Sequence, residues 1–256
     1  MHRFFVPSTW IAGEHARLEG DVARQVSRVL RMSPGDEVTL LDNSGNEYRM
    51  RLTRFSREVV EGVVLSIDEG RGEPSLKVTL YQGMLKGEKF LWVLQKGTEL
   101  GVTAFVPLIC HRSLPQERDS WLSARYPRWR KVVTEAAEQS GRCLLPDLKQ
   151  PISFRDACEE IKGSRSISII PWEREGASGL RSTLQESKGA QPYFPALVNI
   201  FIGPEGGFEE WEIDCARSCG VLPISLGRRI LRSETAAIAT VAAVMYEAGE
   251  IGRLNT

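Results

Sequence analysis

The chain has 256 residues, of which 42% are hydrophobic and 26% charged; that is the balance of a folded globular protein, not of a disordered one. Lys plus Arg number 33 and Asp plus Glu number 33, so bulk charge makes no case for nucleic acid and leaves the question to local patches. No apolar run reaches the ~20 residues of a membrane helix, and the opening MHRFFVPSTW lacks the basic segment and apolar core of a secretion signal. The expected compartment is the cytoplasm, with no membrane association.

Residues 1–75 contain ten arginines and no lysine, the first lysine being Lys77. This shift coincides with a breaker cluster at 68–75 (DEGRGEPS), which predicts two domains, 1–72 and 73–256. In the first, Val38–Leu41, the turn cluster 42–46 and the alternation of Tyr48, Met50 and Leu52 with Arg49, Arg51 and Thr53 form a hairpin signature. With a further strand pair or bent strand at 59–67, about 70 residues of short strands suggest a small β-barrel. One helix is predicted near 21–32, capped by Asp21. Val22, Val26, Val29 and Leu30 make its apolar stripe, and Arg24, Arg28 and Arg31 fall opposite. That arginine face is either simply solvated or a surface for phosphates.

The second part alternates near-continuous apolar strands (76–81, 102–109, 166–171, 196–202, 221–226) with amphipathic helices (about 87–99, 127–141, 178–187, 209–219). This pattern implies an α/β domain with a mostly parallel sheet covered on both faces. A last helix, about 234–249, is capped by Ser233 and ended by Gly249. Its middle, AAIATVAAVM, is apolar nearly all round, so it should be buried on several sides. Five cysteines in a chain of this kind are reduced thiols. Cys215 and Cys219, one helical turn apart with no His nearby, read as structural rather than as a metal pair.

Ligands of open α/β sheets bind beyond the carboxyl ends of the strands. Three stretches lie there: Trp172–Gly176, Gly203–Phe208 (GPEGGF) and Gly227–Ala236 (GRRILRSETA). The second has three glycines and a proline in five residues, followed by Glu209, Glu210 and Glu212. Acids at the helix start and the lack of a P-loop lysine disfavour phosphate. The stretch is either a tight turn or a cradle for a neutral or cationic ligand. In the third, Arg228, Arg229 and Arg232 alternate with Ile230 and Leu231 after Leu226, so apolar side chains and free amides can hold a flat base while the arginines face an anion. A solvated basic turn is the alternative.

The stretches Gly203-Pro204-Glu205-Gly206-Gly207-Phe208 and Leu226-Gly227-Arg228-Arg229-Ile230-Leu231-Arg232-Ser233-Glu234-Thr235-Ala236 resemble the signature motifs of the ribosomal RNA small subunit methyltransferase E family, in the knotted SPOUT superfamily. His2-Arg3-Phe4-Phe5, Lys96–Val102 (KGTELGV) and Glu135–Arg142 (EAAEQSGR) match in the same order. Segment 171–195 is loosely patterned and matches no motif residue by residue. The resemblance implies a PUA-like β-barrel followed by an α/β domain with a C-terminal trefoil knot. It also implies a homodimer with active sites at the subunit interface, and 16S rRNA or the small ribosomal subunit as partner. The implied reaction is S-adenosyl-L-methionine-dependent methylation of uridine N3, with no metal. The implied donor site is Pro171, Trp172, Ile202, Gly203, Pro204, Glu205, Gly206, Leu226, Gly227, Ile230, Leu231, Arg232 and Thr235.

Uridine N3 is not nucleophilic until its proton leaves, and the resulting charge spreads onto O2 and O4. A guanidinium aimed at those oxygens contributes about 3 kcal/mol on the scale of one oxyanion donor. Arg142 and Arg232 are the candidates, with Glu205 as proton acceptor or organiser of its loop. RNA contacts are expected at Arg3, Arg24, Arg28, Arg31, Lys96, Arg112 and Arg228, and Arg128–Lys131 (RWRK) is either a further contact or a solvated helix start. The rivals are the same superfamily acting on a ribose hydroxyl or a guanine nitrogen, a non-catalytic RNA-binding assembly factor, and a nucleotide-binding enzyme.

Overall fold

A computed structural model describes residues 1–113, 118–188 and 196–252, and it divides into two compact units. The first comprises Met1–Glu73 with Thr134–Leu145, the second Pro74–Val133 with Pro146–Thr256.

In the first unit, β1 (His2–Phe5), β2 (Ile11–Ala12), β3 (His15–Glu19), β4 (Glu37–Leu41), β5 (Asn46–Phe55) and β6 (Val59–Glu69) form one sheet in the order β1-β4-β5-β6-β3-β2. Only β1 and β4 run parallel. The alternation read in β5 places Met50 and Leu52 in the core with Phe4, Leu18, Val38, Leu40 and Val60. The β5–β6 ladder carries two register shifts, at Arg49/Met50 and Leu52/Arg54, irregularities that bend and twist a strand pair.

The predicted helix at 21–32 departs from its pattern. An α-helix, α1, spans Gly20–Arg24, and its N-cap is Glu19, with no side-chain cap bond; Asp21 instead pairs with Arg24 at 2.6 Å. The chain then widens into a π-turn over Gln25–Val29 and ends at Arg31, which has φ +54°. A π-turn takes more residues per revolution, so a stripe with a period of 3.6 loses phase there. Val26 stays fully buried while Val29 turns out, at 73% exposure, and Arg24, Arg28 and Arg31 do not form one helical face.

The second unit has β7 (Lys77–Gly83), α2 (Lys89–Glu99), β8 (Ala104–Ile109), α3 (Arg118–Ser140), β9 (Asp147–Leu148), β10 (Ile152–Ser153) and α4 (Phe154–Ile161). It continues with β11 (Ile167–Pro171), α5 (Leu180–Lys188), β12 (Leu197–Ile202), α6 (Glu210–Ser218), β13 (Leu222–Ile224) and α7 (Ser233–Ala248). The last turns of α3, from Thr134, belong to the first unit. The sheet is parallel throughout, in the order β10-β8-β7-β12-β11-β13 with β9 on β8. Its strands are apolar on both faces because both faces are covered. Val198, Ile200 and Ile202 of β12 join Val78 and Leu80 of β7 in the core with α2 and α7. Phe201 and Tyr81 point to the other side and stack at 4.4 Å and 2° in the core with α4 and α6.

Two local predictions change and one holds. Helix α3 begins at Arg118 rather than 127, with Pro127, a residue usually confined to the first turn, inside it. Ser233 is the first residue of α7 and not its cap, which is Arg232; its hydroxyl donates instead to the Gly203 carbonyl and accepts from Gln82 Nε2 at 3.0 Å. Gly249 closes α7 at φ +82°, the left-handed conformation that glycine adopts freely. Among the described residues no helix is long and apolar enough to cross a membrane, and no cluster of three or more His, Cys, Asp or Glu could hold a metal ion.

Candidate active site

The carboxyl ends of β11, β12 and β13 open into three loops that line a single cavity of about 450 Å³. That volume lies in the ~300–1,000 Å³ range of small-molecule sites. The first loop contributes Pro171, Trp172 and Glu173, the second Gly203–Phe208 following Ile202, and the third Ser225–Glu234 together with Ala236.

The middle loop is tied down on both sides. Gly83, at the end of β7, passes so close beneath it that a Cβ there would lie 2.4 Å from the Pro204 nitrogen and 2.7 Å from the Gly203 carbonyl carbon. Gly207 has φ +70°, a conformation costly for any other residue. Arg112 holds the far side, its Nη1 donating to the Gly206 carbonyl at 2.7 Å and its Nε to Glu209 Oε1 at 2.8 Å. Glu209 and Glu212 form a reciprocal capping box at the start of α6. Glu212 is fully buried and also accepts from the His111 amide at 2.9 Å. Two of the three acids after the glycine loop therefore close a helix end.

Glu205 points back into the unit. It accepts from the Lys86 amide at 3.0 Å and from Lys89 Nζ at 3.4 Å. Burial acts to raise its pKa, but the backbone amides and the Lys89 charge outweigh it and hold the carboxyl below its ordinary value. Arg228, Arg229 and Arg232 also line the cavity. All three are exposed, and among the described residues their side chains make no hydrogen bond or ion pair.

Of the residues expected to hold the donor, all line this cavity except Thr235, an exposed residue of α7. Sequence reasoning missed Lys89, which reaches the cavity from α2, and Glu173, Ser225 and Phe208 from the loops themselves. Lys89 is separated from the glycine loop by more than a hundred residues and carries no motif of its own, so only the fold reveals it.

Arg142 stands in the first unit. Its guanidinium is 3% exposed, and Nη2 and Nε donate to Glu73 at 2.8 and 3.3 Å. The same carboxylate accepts from the Cys143 and Leu144 amides, each at 3.0 Å. Burial pushes the Glu73 pKa up, but Arg142 and these amides more than compensate and keep it below the usual carboxylate range.

The expected RNA contacts are scattered. Arg3 binds Glu47 through two bonds of 2.9 and 2.7 Å, Arg24 binds Asp21, and Lys96 binds Glu99 at 2.8 Å. Arg112 is engaged as above. Arg28 and Arg31 are exposed in the first unit.

Comparison with known proteins accords with this geometry. The RNA methyltransferase domain family matches residues 72–245, and the RNA methyltransferase PUA domain matches residues 27–65. A ribosomal RNA small subunit methyltransferase E of Bacillus subtilis is 30% identical over 250 residues, covering 96% of this chain and 97% of the relative. That of Synechocystis is 34% identical over 219 residues, covering 86% and 69%. Among solved structures, the ribosomal RNA small subunit methyltransferase E of Neisseria gonorrhoeae bound to S-adenosyl methionine superposes with a TM-score of 0.83 at 31% identity, over 96% of this chain and 97% of that one. The chain belongs to the ribosomal RNA small subunit methyltransferase E family.

Proposed function

We propose that the protein transfers the methyl group of S-adenosylmethionine to N3 of a uridine in small-subunit (16S) ribosomal RNA. The observation that carries this is one cavity built by three converging loops and lined by three carboxylates and by three arginines that have no partner among the described residues. The residues fit such a donor. Leu226, Ile230 and Leu231 offer apolar surface to a flat base, the glycine loop brings backbone close, and Glu173, Glu205 and Glu234 suit a cationic ligand. When bound, the donor supplies an electrophilic methyl carbon.

The chain's own contribution is position and charge. Holding reactants in line can supply about 7–11 kcal/mol. Arg232 stabilises the charge that develops on the uracil oxygens as N3 loses its proton to solvent water. Glu205 organises the loop: its carboxylate is already committed to Lys86 and Lys89, and a lowered pKa makes it a weak base. Arg142 anchors Glu73 and the turn after α3. Phosphates are contacted by Arg28, Arg31 and Arg228, whose side chains carry no partner among the described residues. At Arg3, Arg24, Lys96 and Arg112 an RNA phosphate shares the cation with a carboxylate already in place.

The finer architecture follows the same reading. Strand β13 lies at the sheet edge beyond β11, yet α7 returns across the site to pack on β12, β7 and α2, a path that supports a trefoil knot. Thr235, Ala239 and Tyr246 are exposed on α7, with Ile238 and Ala242 half-buried between them, and Trp92 of the adjoining α2 is 41% exposed. This smooth apolar face suits a second copy of the chain and a homodimer with the active site at its interface. Five unpaired cysteines suit the cytoplasm.

The test is methyl transfer from labelled donor to small subunits prepared from a strain lacking the activity. Stoichiometric incorporation by the unaltered protein is expected. An Arg232→Ala variant should still bind the donor and lose about a hundredfold in turnover; normal turnover at saturating donor and RNA would contradict the role given to Arg232.

A further inference from the structure

Three carboxylates line the donor cavity, and their surroundings differ. Glu205 is bonded to Lys86 and Lys89. Glu234 has one oxygen, Oε2, that is buried with no hydrogen-bond partner among the described residues. Glu173 is exposed, as Glu205 is, but among the described residues its side chain accepts no hydrogen bond and joins no ion pair. It lies against the glycine loop, its Oε1 3.4 Å from where a Cβ on Gly207 would stand. The cations nearby are bonded to other groups: Arg112 to Glu209 and Gly206, although it also feels the Glu173 charge, Arg174 to Glu210, and Arg217 to Glu175 and Asp214. Trp172, half-buried in the adjoining core, also lines the cavity and keeps water from one side.

The donor and its by-product share every group that can be hydrogen-bonded. They differ in one charge, because transfer of the methyl turns a sulfonium into a neutral thioether. A sulfonium has no N–H or O–H to donate, so the difference is read through its charge, by a carboxylate, a carbonyl dipole or an aromatic face, of which an ionised carboxylate exerts the strongest field. The cavity needs such a field, because Arg228, Arg229 and Arg232 also line it and repel a cation, while Lys89 and Glu205 offset one another.

We infer that Glu173 is the specificity-determining residue that makes the cavity prefer S-adenosylmethionine over S-adenosylhomocysteine. The attraction exists while the sulfur is charged and disappears once the methyl has left, so the same carboxylate favours release of the by-product. This rests on the donor assignment and does not depend on which RNA atom is methylated.

Calorimetric titration of the full chain with each ligand separately tests it. In Glu173→Gln, which keeps size and polarity, affinity for S-adenosylmethionine should fall about tenfold, the scale of one contact-range charge pair, with affinity for S-adenosylhomocysteine unchanged. Sinefungin, which carries an amine where the sulfonium stands, should weaken with the donor. Glu186→Gln, at an exposed acid of α5 outside the cavity lining, should leave the ratio alone. Equal weakening of all three ligands would overturn the inference, since Glu173 would then be serving a shared group or the fold. An unchanged ratio, or an equal change in the Glu186 variant, would overturn it too. Failure of the unaltered chain to bind any of the three would remove the donor assignment itself.

Discussion

Arg142 and Arg232 have the same side-chain chemistry and opposite surroundings. Arg142 is sealed from water and clamped to Glu73, whereas Arg232 is exposed at a cavity wall. Breaking a buried pair from one side strands the other charge and typically costs about 3–5 kcal/mol. Arg142→Ala should therefore lower stability by that order in denaturant titration, while folded variant protein keeps its donor affinity. Glu73 gives the pair a pH dependence of known sign. Its folded pKa lies below the ordinary 4.5, so its contribution is complete above that value and is lost as pH falls through the depressed one. Stability curves of the unaltered protein and Glu73→Gln should be farthest apart at neutral pH and converge as pH falls through the depressed pKa. A gap that stays constant down to pH 2 would show that the carboxylate's charge is not the source. Nothing local in the sequence separated the two arginines: both follow motif residues, and the partner of Arg142 lies 69 positions away.

At the scale of elements, the apolar strands and most helices were legible because burial on both sheet faces leaves a continuous signature. Val198, Ile200 and Ile202 serve one core and Phe201 the other, so no polar residue marks an outer face. What failed were local hydrogen-bond choices. A π-turn is invisible to a pattern with a period of 3.6, and so Val29 was misplaced. Ser233 had the right chemistry for a cap, but the Gly203 carbonyl and Gln82 took its hydroxyl. The capping box of α6 had a visible signal, Glu209 with Glu212 three residues later, which charge arithmetic hid by treating both acids as free. The cavity floor gives a direct test of packing. Gly83→Ala would drive a methyl group into the Pro204 backbone, and overpacking of this kind costs about 1–3 kcal/mol. Thermal unfolding should detect that loss, with weaker donor binding as the glycine loop shifts; an unperturbed Tm would show that the loop yields easily. The apolar face of α7 makes a separate prediction. On the proposed dimer, the unaltered protein should sediment as a dimer and Ala239→Arg, which puts a charge on that face, as a monomer with intact secondary structure.

For the whole molecule, two things were out of reach of a linear reading. One is the membership of Thr134–Leu145 in the first unit, for which no composition shift or breaker cluster gives a cue. The other is the assembly of a single cavity from residues 89, 171–173, 202–208 and 225–236. The rule that ligands sit beyond the carboxyl ends of parallel strands brought the three loops together on paper, but the reach of Lys89 from α2 needed coordinates. Once folded, the chain lines one cavity with both carboxylates (Glu173, Glu205, Glu234) and arginines (Arg228, Arg229, Arg232). The central claim is that this geometry methylates a uracil nitrogen. Its most direct test is mass analysis of the nucleosides released from small-subunit rRNA after incubation with the protein and isotopically labelled S-adenosylmethionine. The account predicts that the label appears as 3-methyluridine and disappears with Arg232→Ala. Label found in a 2′-O-methylated ribose or in a methylated guanine would contradict it.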